Sequence, residues 1–270
     1  MKGNAPPPLL RLIDLTVTFN GQVLIDNINL NIKSGETLAV VGGSGAGKTT
    51  LLRSLMGLKN HDLMTSGSLA FEGNMHDLSD HQKFGSFPKH SLAYVPQSPS
   101  IGLDPLKKLK WQWQQVIRVT RPKDREFHTN ERRKLEVDFP KSILTQLKLK
   151  EFGEKYPHQW SRGMQQRLLI AFALAAKPKI LILDEPTSAL DPIVAARALL
   201  EVVKAARENN ITVLMVTHDL ALAAQFADRI AVLSSGKLIE LGVTDQILNS
   251  PIHPYTANLV KHRHWGNSHA

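Results

Sequence analysis

The chain has 270 residues, a formal net charge of +9 and no cysteine, which excludes disulfides, thiolate zinc sites and iron–sulfur clusters while allowing a substantial core. No stretch reaches the roughly 20 consecutive apolar residues needed to cross a bilayer. The start, Met1 to Pro8, also lacks the apolar centre of a secretion signal, so a soluble, cytosolic protein is expected.

In chain order, Leu10 to Phe71 alternates short strand-like runs with turns such as Asn20-Gly21 and Lys33-Ser34-Gly35, which predicts an antiparallel sheet beside the main core. Into this region is set the apolar run Leu38-Ala39-Val40-Val41, followed by Gly42-Gly43-Ser44-Gly45-Ala46-Gly47-Lys48-Thr49-Thr50 and the helical stretch Leu51 to Met56. A strand, a glycine-rich loop and a helix N-terminus in that order, with Gly42, Gly47, Lys48 and Thr49 at phosphate-loop spacing, predict a phosphate cradle. Its glycines let backbone N–H groups turn inward, and the helix start places partial positive charge at the same point. Lys48 would reach the β- and γ-phosphates, and the Thr49 hydroxyl would ligate Mg²⁺. Kinases, GTPases and motor ATPases share such a loop, so it leaves the reaction open.

Tyr94-Val95-Pro96-Gln97 ends the next apolar stretch, and from about Ser98 to Ala176 the pattern turns mainly helical. The basic runs Lys107 to Lys110, Arg121 to Arg125, Arg132 to Lys134 and Lys148 to Lys155 fall in this interval. They lack the interleaved aromatics that stack on bases, so nucleic acid is not expected as a partner, whereas a face near anionic lipid headgroups is allowed. Ile180-Leu181-Ile182-Leu183-Asp184-Glu185 then reads as a buried parallel strand that delivers two carboxylates at its C-terminal end, where ligands sit in open α/β sheets. Asp184 fits the acid that holds Mg²⁺, and Glu185 the group that orients and deprotonates an attacking water. Beyond it come a helix over Pro192 to Glu208, a strand ending at Thr217-His218, a helix over Leu220 to Ala227, and a hairpin from Arg229 to Leu241 turning at Ser234-Ser235-Gly236. Strands alternating with helices in this way predict an α/β fold with a mostly parallel sheet.

From Leu10 to Leu248 the chain resembles the nucleotide-binding subunits of ABC transporters. Trp160-Ser161-Arg162-Gly163-Met164-Gln165-Gln166-Arg167 is similar to the signature motif Leu-Ser-Gly-Gly-Gln. Trp160 and Arg162 depart from that motif, while Ser161 and Gly163 are retained. Pro186-Thr187-Ser188-Ala189-Leu190-Asp191 is similar to the D-loop, Gln97 to the Q-loop glutamine and His218 to the switch histidine. Phe19 falls where the family stacks an aromatic on adenine; its setting is equally that of a core residue at a strand end. The resemblance implies a P-loop NTPase core with an N-terminal antiparallel β subdomain and an inserted helical subdomain. It implies a single nucleotide-binding domain over residues 1–270, with the helical part at about 98–176 and a tail at about 251–270.

The same resemblance implies ATP and Mg²⁺ as ligands and head-to-tail pairing with a second ATP-binding subunit. Each ATP would then be enclosed by Lys48, Asp184, Glu185 and His218 of one subunit and by the Ser161 segment of the other, with Gln97 touching Mg²⁺ or the water and Asp191 in the D-loop that crosses to the partner subunit. Separate membrane permeases, a substrate-binding protein and a peripheral position on the cytoplasmic face of the inner membrane are also implied. Pro251-Ile252-His253-Pro254-Tyr255-Thr256 and Asp104-Pro105 resemble the peptide and nickel importer branch, and Val41 to Gly45 its nickel-import ATPase subunits. An ABC-type ATPase that remodels a nucleic-acid or protein complex is the alternative; it predicts two ATPase units in one chain or a long coiled coil, and neither is present. A plain P-loop kinase is disfavoured by the signature segment and His218. His262, His264 and His269 are expected to lie in a disordered tail.

Overall fold

The apolar runs of the sequence become strands buried along their whole length. Thr37–Val41 (β3), Ile180–Asp184 (β7) and Thr212–Thr217 (β8) have no exposed position, the signature of parallel-sheet strands covered on both faces. The computed structural model describes residues 7–58, 62–79, 91–120, 142–149, 154–186 and 192–262. Residues cluster into two compact units, one formed by 1–89 with 214–270 and the other by 90–213.

In the first unit, Leu10–Phe19 (β1), Gln22–Ile32 (β2), Leu63–Phe71 (β4) and Asn74–Asp77 (β5) form an antiparallel sheet in the order β2-β1-β4-β5. Leu10, Leu12, Leu15 and Val17 of β1 are buried, so the inward set skips one residue at Asp14. The skip is a bulge: Asp14 has φ 51°, and the pairing with β2 shifts between Leu12 and Leu15. Asn29 secures it, accepting the Asp14 N–H at 3.2 Å and donating to the Asp14 carboxylate at 2.9 Å.

β3 of the same unit pairs in parallel with Arg229–Ser234 (β9), which pairs antiparallel with Lys237–Val243 (β10). The last residues of β8 lie on the other side of β3. Lys48–Leu55 (α1) follows β3, and Leu220–Phe226 (α6) follows β8 with Asp219 as its cap, accepting from the Leu222 N–H at 2.9 Å. Thr244–Asn249 (α7) and Pro254–Lys261 (α8) close the described chain.

In the second unit, Leu92–Val95 (β6) pairs in parallel with β7. Its helices include Pro99–Gly102 (α2), Leu109–Thr120 (α3), Arg162–Ala175 (α4) and Pro192–Glu208 (α5). The two sheets, one antiparallel and one parallel-rich, agree with the α/β architecture expected from the sequence. Among the described residues, no helix is long and apolar enough to cross a membrane.

Candidate phosphate-binding and carboxylate sites

The glycine-rich segment turns directly out of β3 into α1. Gly47 caps the helix in the left-handed region at φ 100°, where an L side chain is strained, and a Cβ there would stand 2.7 Å from the Ile25 side chain. At Gly42 a Cβ would stand 2.3 Å from the Leu233 carbonyl oxygen of β9, so the chain leaves β3 against neighbouring backbone. Lys48, only 7% exposed, directs its amine back into the loop, donating to the carbonyl oxygens of Gly42 and Gly43 at 2.9 Å each. Ser44, Gly45 and Thr49 are exposed, Ala46 is buried, and Thr50 is half-buried. Backbone amides around a buried ammonium at a helix N-terminus fit a phosphate group in charge and in donor chemistry.

Two residues far along the chain brace this loop, and sequence spacing gave no sign of either. Gly236, in the β9–β10 turn at φ 77°, donates its N–H to the Ala46 carbonyl at 3.0 Å and accepts the Asp26 N–H at 2.9 Å. Tyr255 accepts the Gly43 N–H on its hydroxyl at 3.3 Å. His218 is exposed immediately after β8, as the glycine loop follows the adjacent β3. Phe19 is half-buried at the end of β1.

The second unit assembles the carboxylates. Asp184, 7% exposed, ends β7, and its Oδ2 accepts the Tyr94 hydroxyl at 2.9 Å. The backbone then reverses at Glu185, whose φ of 43° puts a non-glycine residue in the left-handed region, a cost of order 1 kcal/mol or more that gathers at functional positions. Gln97 Nε2 donates to Glu185 Oε2 at 3.0 Å. The pairing of β6 with β7 sets this contact, because Val95 lies opposite Leu183 and each functional residue follows two positions later.

Ser161 is the N-cap of α4, its Oγ accepting the Met164 N–H at 3.3 Å. A hydroxyl oxygen used as acceptor still has its proton to donate outward. Arg162 is exposed at the first helical position, and Gly163 is half-buried behind it. Gln165 Nε2 fixes the entry to the helix by donating to the carbonyls of Pro157 and Trp160, at 2.8 and 2.9 Å. The buried Gln166 reaches the carbonyl of Pro96, next to Gln97, at 3.3 Å, tying the signature helix to the glutamine segment. Asp191, with the rest of the segment 187–191, lies outside the described residues, as do His264 and His269.

Hard oxygen donors are what Mg²⁺ takes; the Thr49 hydroxyl in the first unit and the Asp184 carboxylate in the second are each of that type. Among the described residues, no group of three His, Cys, Asp or Glu side chains forms a cage that would hold a metal by protein alone.

Residues 25–188 match the family model described as ABC transporter. The chain is 34% identical over 258 residues to the oligopeptide transport ATP-binding protein AmiE of Streptococcus pneumoniae, covering 93% of this chain and 71% of AmiE. It is 33% identical over 258 residues to the metal-staphylopine import system ATP-binding protein CntD of Staphylococcus aureus, covering 95% and 93%. Among solved structures it resembles cbiO1 of Clostridium perfringens, part of the ABC transporter complex cbiONQ, with a TM-score of 0.73 at 26% identity over 90% and 91% of the two chains. A dimeric ATP-binding cassette in a post-hydrolysis state, bound to ADP and phosphate, gives a TM-score of 0.66 at 29% identity over 87% and 98%.

Proposed function

Because the chain belongs to the ABC transporter family, as an ATP-binding subunit, we propose that it hydrolyses ATP to drive an importer of peptides, nickel or metal chelates through separate permease subunits. The observation that carries this reading is the buried Lys48 amine held on the Gly42 and Gly43 carbonyls at the start of α1. In that position the ammonium exchanges its carbonyl partners for the β- and γ-phosphate oxygens of ATP as they enter. The loop N–H groups and the start of α1 neutralise the remaining phosphate charge.

Thr49 and Asp184 would hold Mg²⁺, with Gln97 near it, and the cation would supply charge neutralisation between the phosphates. Tyr94 orients the Asp184 carboxylate for that task. Glu185 accepts the proton of the attacking water at a carboxylate oxygen, and Gln97 holds the other oxygen in place. His218 donates toward the γ-phosphate, and Phe19 stacks on adenine. Ser161 and the N–H groups around Gly163 serve a second ATP-binding subunit, donating to the γ-phosphate in that subunit's pocket, with Asp191 at the crossing. Closure of the pair is then stabilised while the γ-phosphate is attached and lost when it leaves.

The subunit would sit peripherally at the cytoplasmic face of the inner membrane, on permeases supplied by a substrate-binding protein. The test replaces the wild-type chain in its own cell with Glu185→Gln and follows uptake of labelled di- and oligopeptides, nickel, and nickel or zinc chelates, alongside co-purification with membrane permeases. Loss of uptake of one of these classes with the permease complex intact supports the proposal. Unchanged uptake of all of them, or a chain that co-purifies with nucleic acid rather than permeases, contradicts it.

A further inference from the structure

We propose that Tyr255 is a positioning residue for nucleotide binding, its hydroxyl fixing the Gly42–Gly43 peptide on which the Lys48 amine is held. The inference rests on the loop being the ATP site. That peptide is bonded at both ends: its carbonyl, Gly42 O, accepts from Lys48 Nζ at 2.9 Å, and its amide, Gly43 N–H, donates to Tyr255 Oη at 3.3 Å. The next carbonyl, Gly43 O, is the second seat of the same ammonium, also at 2.9 Å. One tyrosine hydroxyl, 212 residues away in sequence, therefore governs the orientation of the peptide that places the phosphate-binding charge.

Tyr255 is held rigidly enough to do this. It is the second residue of α8, whose cap His253 accepts the Tyr255 N–H on Nδ1 at 3.1 Å. Just before the helix, Glu240 accepts the N–H groups of Ile252 and His253 at 2.9 and 3.1 Å. Glu240 lies on β10, β10 pairs with β9, and β9 pairs with β3, the strand that delivers the loop. The path from β3 through the loop, Tyr255, Glu240, β10 and β9 returns to β3, so the contact closes a ring of fixed elements. Steric need does not explain the approach, since a Cβ on Gly43 would meet the hydroxyl at an ordinary 3.4 Å. What the pair shares is the N–H hydrogen bond.

Tyr255→Phe removes that acceptor and keeps the ring. The full chain is titrated with a non-hydrolysable ATP analogue and Mg²⁺, as wild type, Tyr255→Phe and Tyr255→Ala, and each is melted without nucleotide. The expected result is about a fivefold weaker Kd for Tyr255→Phe, the scale of one hydrogen bond, with a raised KM for ATP, an unchanged kcat and a melting temperature well above that of Tyr255→Ala. Wild-type affinity in Tyr255→Phe would overturn the proposal. So would a Tyr255→Phe melting temperature as low as that of Tyr255→Ala, with affinity restored on cooling, because the hydroxyl would then act on folding alone. A wild-type chain that fails to bind the analogue would instead defeat the ATP reading and this inference with it.

Discussion

Gln97 and Glu185, 88 residues apart, meet through a 3.0 Å hydrogen bond from the glutamine amide to the carboxylate. The contact fixes one carboxylate oxygen at a point where the backbone already leaves strand geometry. Gln97→Ala releases that constraint. It is expected to lower kcat on the order of 10-fold while shifting the Kd for Mg-ATP much less, as loss of an orienting partner does. Steady-state kinetics beside an equilibrium titration separates the two effects; an unchanged kcat would remove the orienting role.

Lys48 is buried with its charge directed at loop carbonyls. Lys48→Ala removes the ammonium that phosphate oxygens would take over, and charge-assisted hydrogen bonds are each worth about 1.5–3 kcal/mol. Nucleotide affinity should fall at least about 10-fold without loss of the folded state, checked by titration at fixed ionic strength and by circular dichroism.

Ser161 has two separable tasks, capping α4 and reaching outward. Ser161→Ala should cost about 1 kcal/mol of stability, the usual value of an N-cap, and should weaken ATP-dependent pairing of subunits. Ser161→Asp keeps an N-cap acceptor but sets a negative charge toward the partner's triphosphate. It is expected to restore the melting temperature and to abolish pairing, read by size-exclusion chromatography with and without Mg-ATP. Pairing that survives in Ser161→Asp would show that this residue faces no phosphate.

Glu240 carries a pH dependence of known sign. Burial pushes its carboxyl up, yet the Ile252 N–H, the His253 N–H and the His253 charge help to outweigh burial and hold it below the usual carboxylate range. A carboxyl depressed on folding adds stability that is fully present above its unfolded pKa of about 4.3 and is lost as pH falls through the lower folded value. Glu240→Gln should therefore be less stable than wild type at neutral pH, by about 2 kcal/mol, with the gap closing below pH 4. Urea unfolding at several pH values measures it; a gap constant with pH would mean that the charge contributes nothing.

Much of this molecule can be read from local sequence, and the remainder is hidden for one physical reason. Leu38 to Val41, Ile180 to Leu183 and Val213 to Val216 are legible because a strand buried on both faces needs an unbroken apolar run, and each run ends where a charged or glycine-rich segment begins. The hairpin turning at Ser235-Gly236 is legible because turn chemistry is local. The Tyr255 hydroxyl on Gly43, Gly236 beside Ala46, Tyr94 on Asp184 and Gln166 on Pro96 are tertiary contacts between distant segments, and a tyrosine or glutamine in sequence carries no sign of which backbone group it will meet. The bulge at Asp14 was hidden in the same way, since only pairing with β2 reveals the skipped residue. Phe19 shows the converse: a strand-end aromatic is visible, and its half-buried position suits both packing and stacking.

The most direct measurement of the central claim is ATP turnover by Glu185→Gln beside its Mg-ATP affinity, since the substitution keeps the size of the side chain and removes only its capacity to take a proton. Turnover should drop 10²- to 10⁴-fold, the usual worth of a general base, while affinity stays near wild type and the nucleotide-bound pair of subunits accumulates. Hydrolysis at the wild-type rate in that variant would contradict the account.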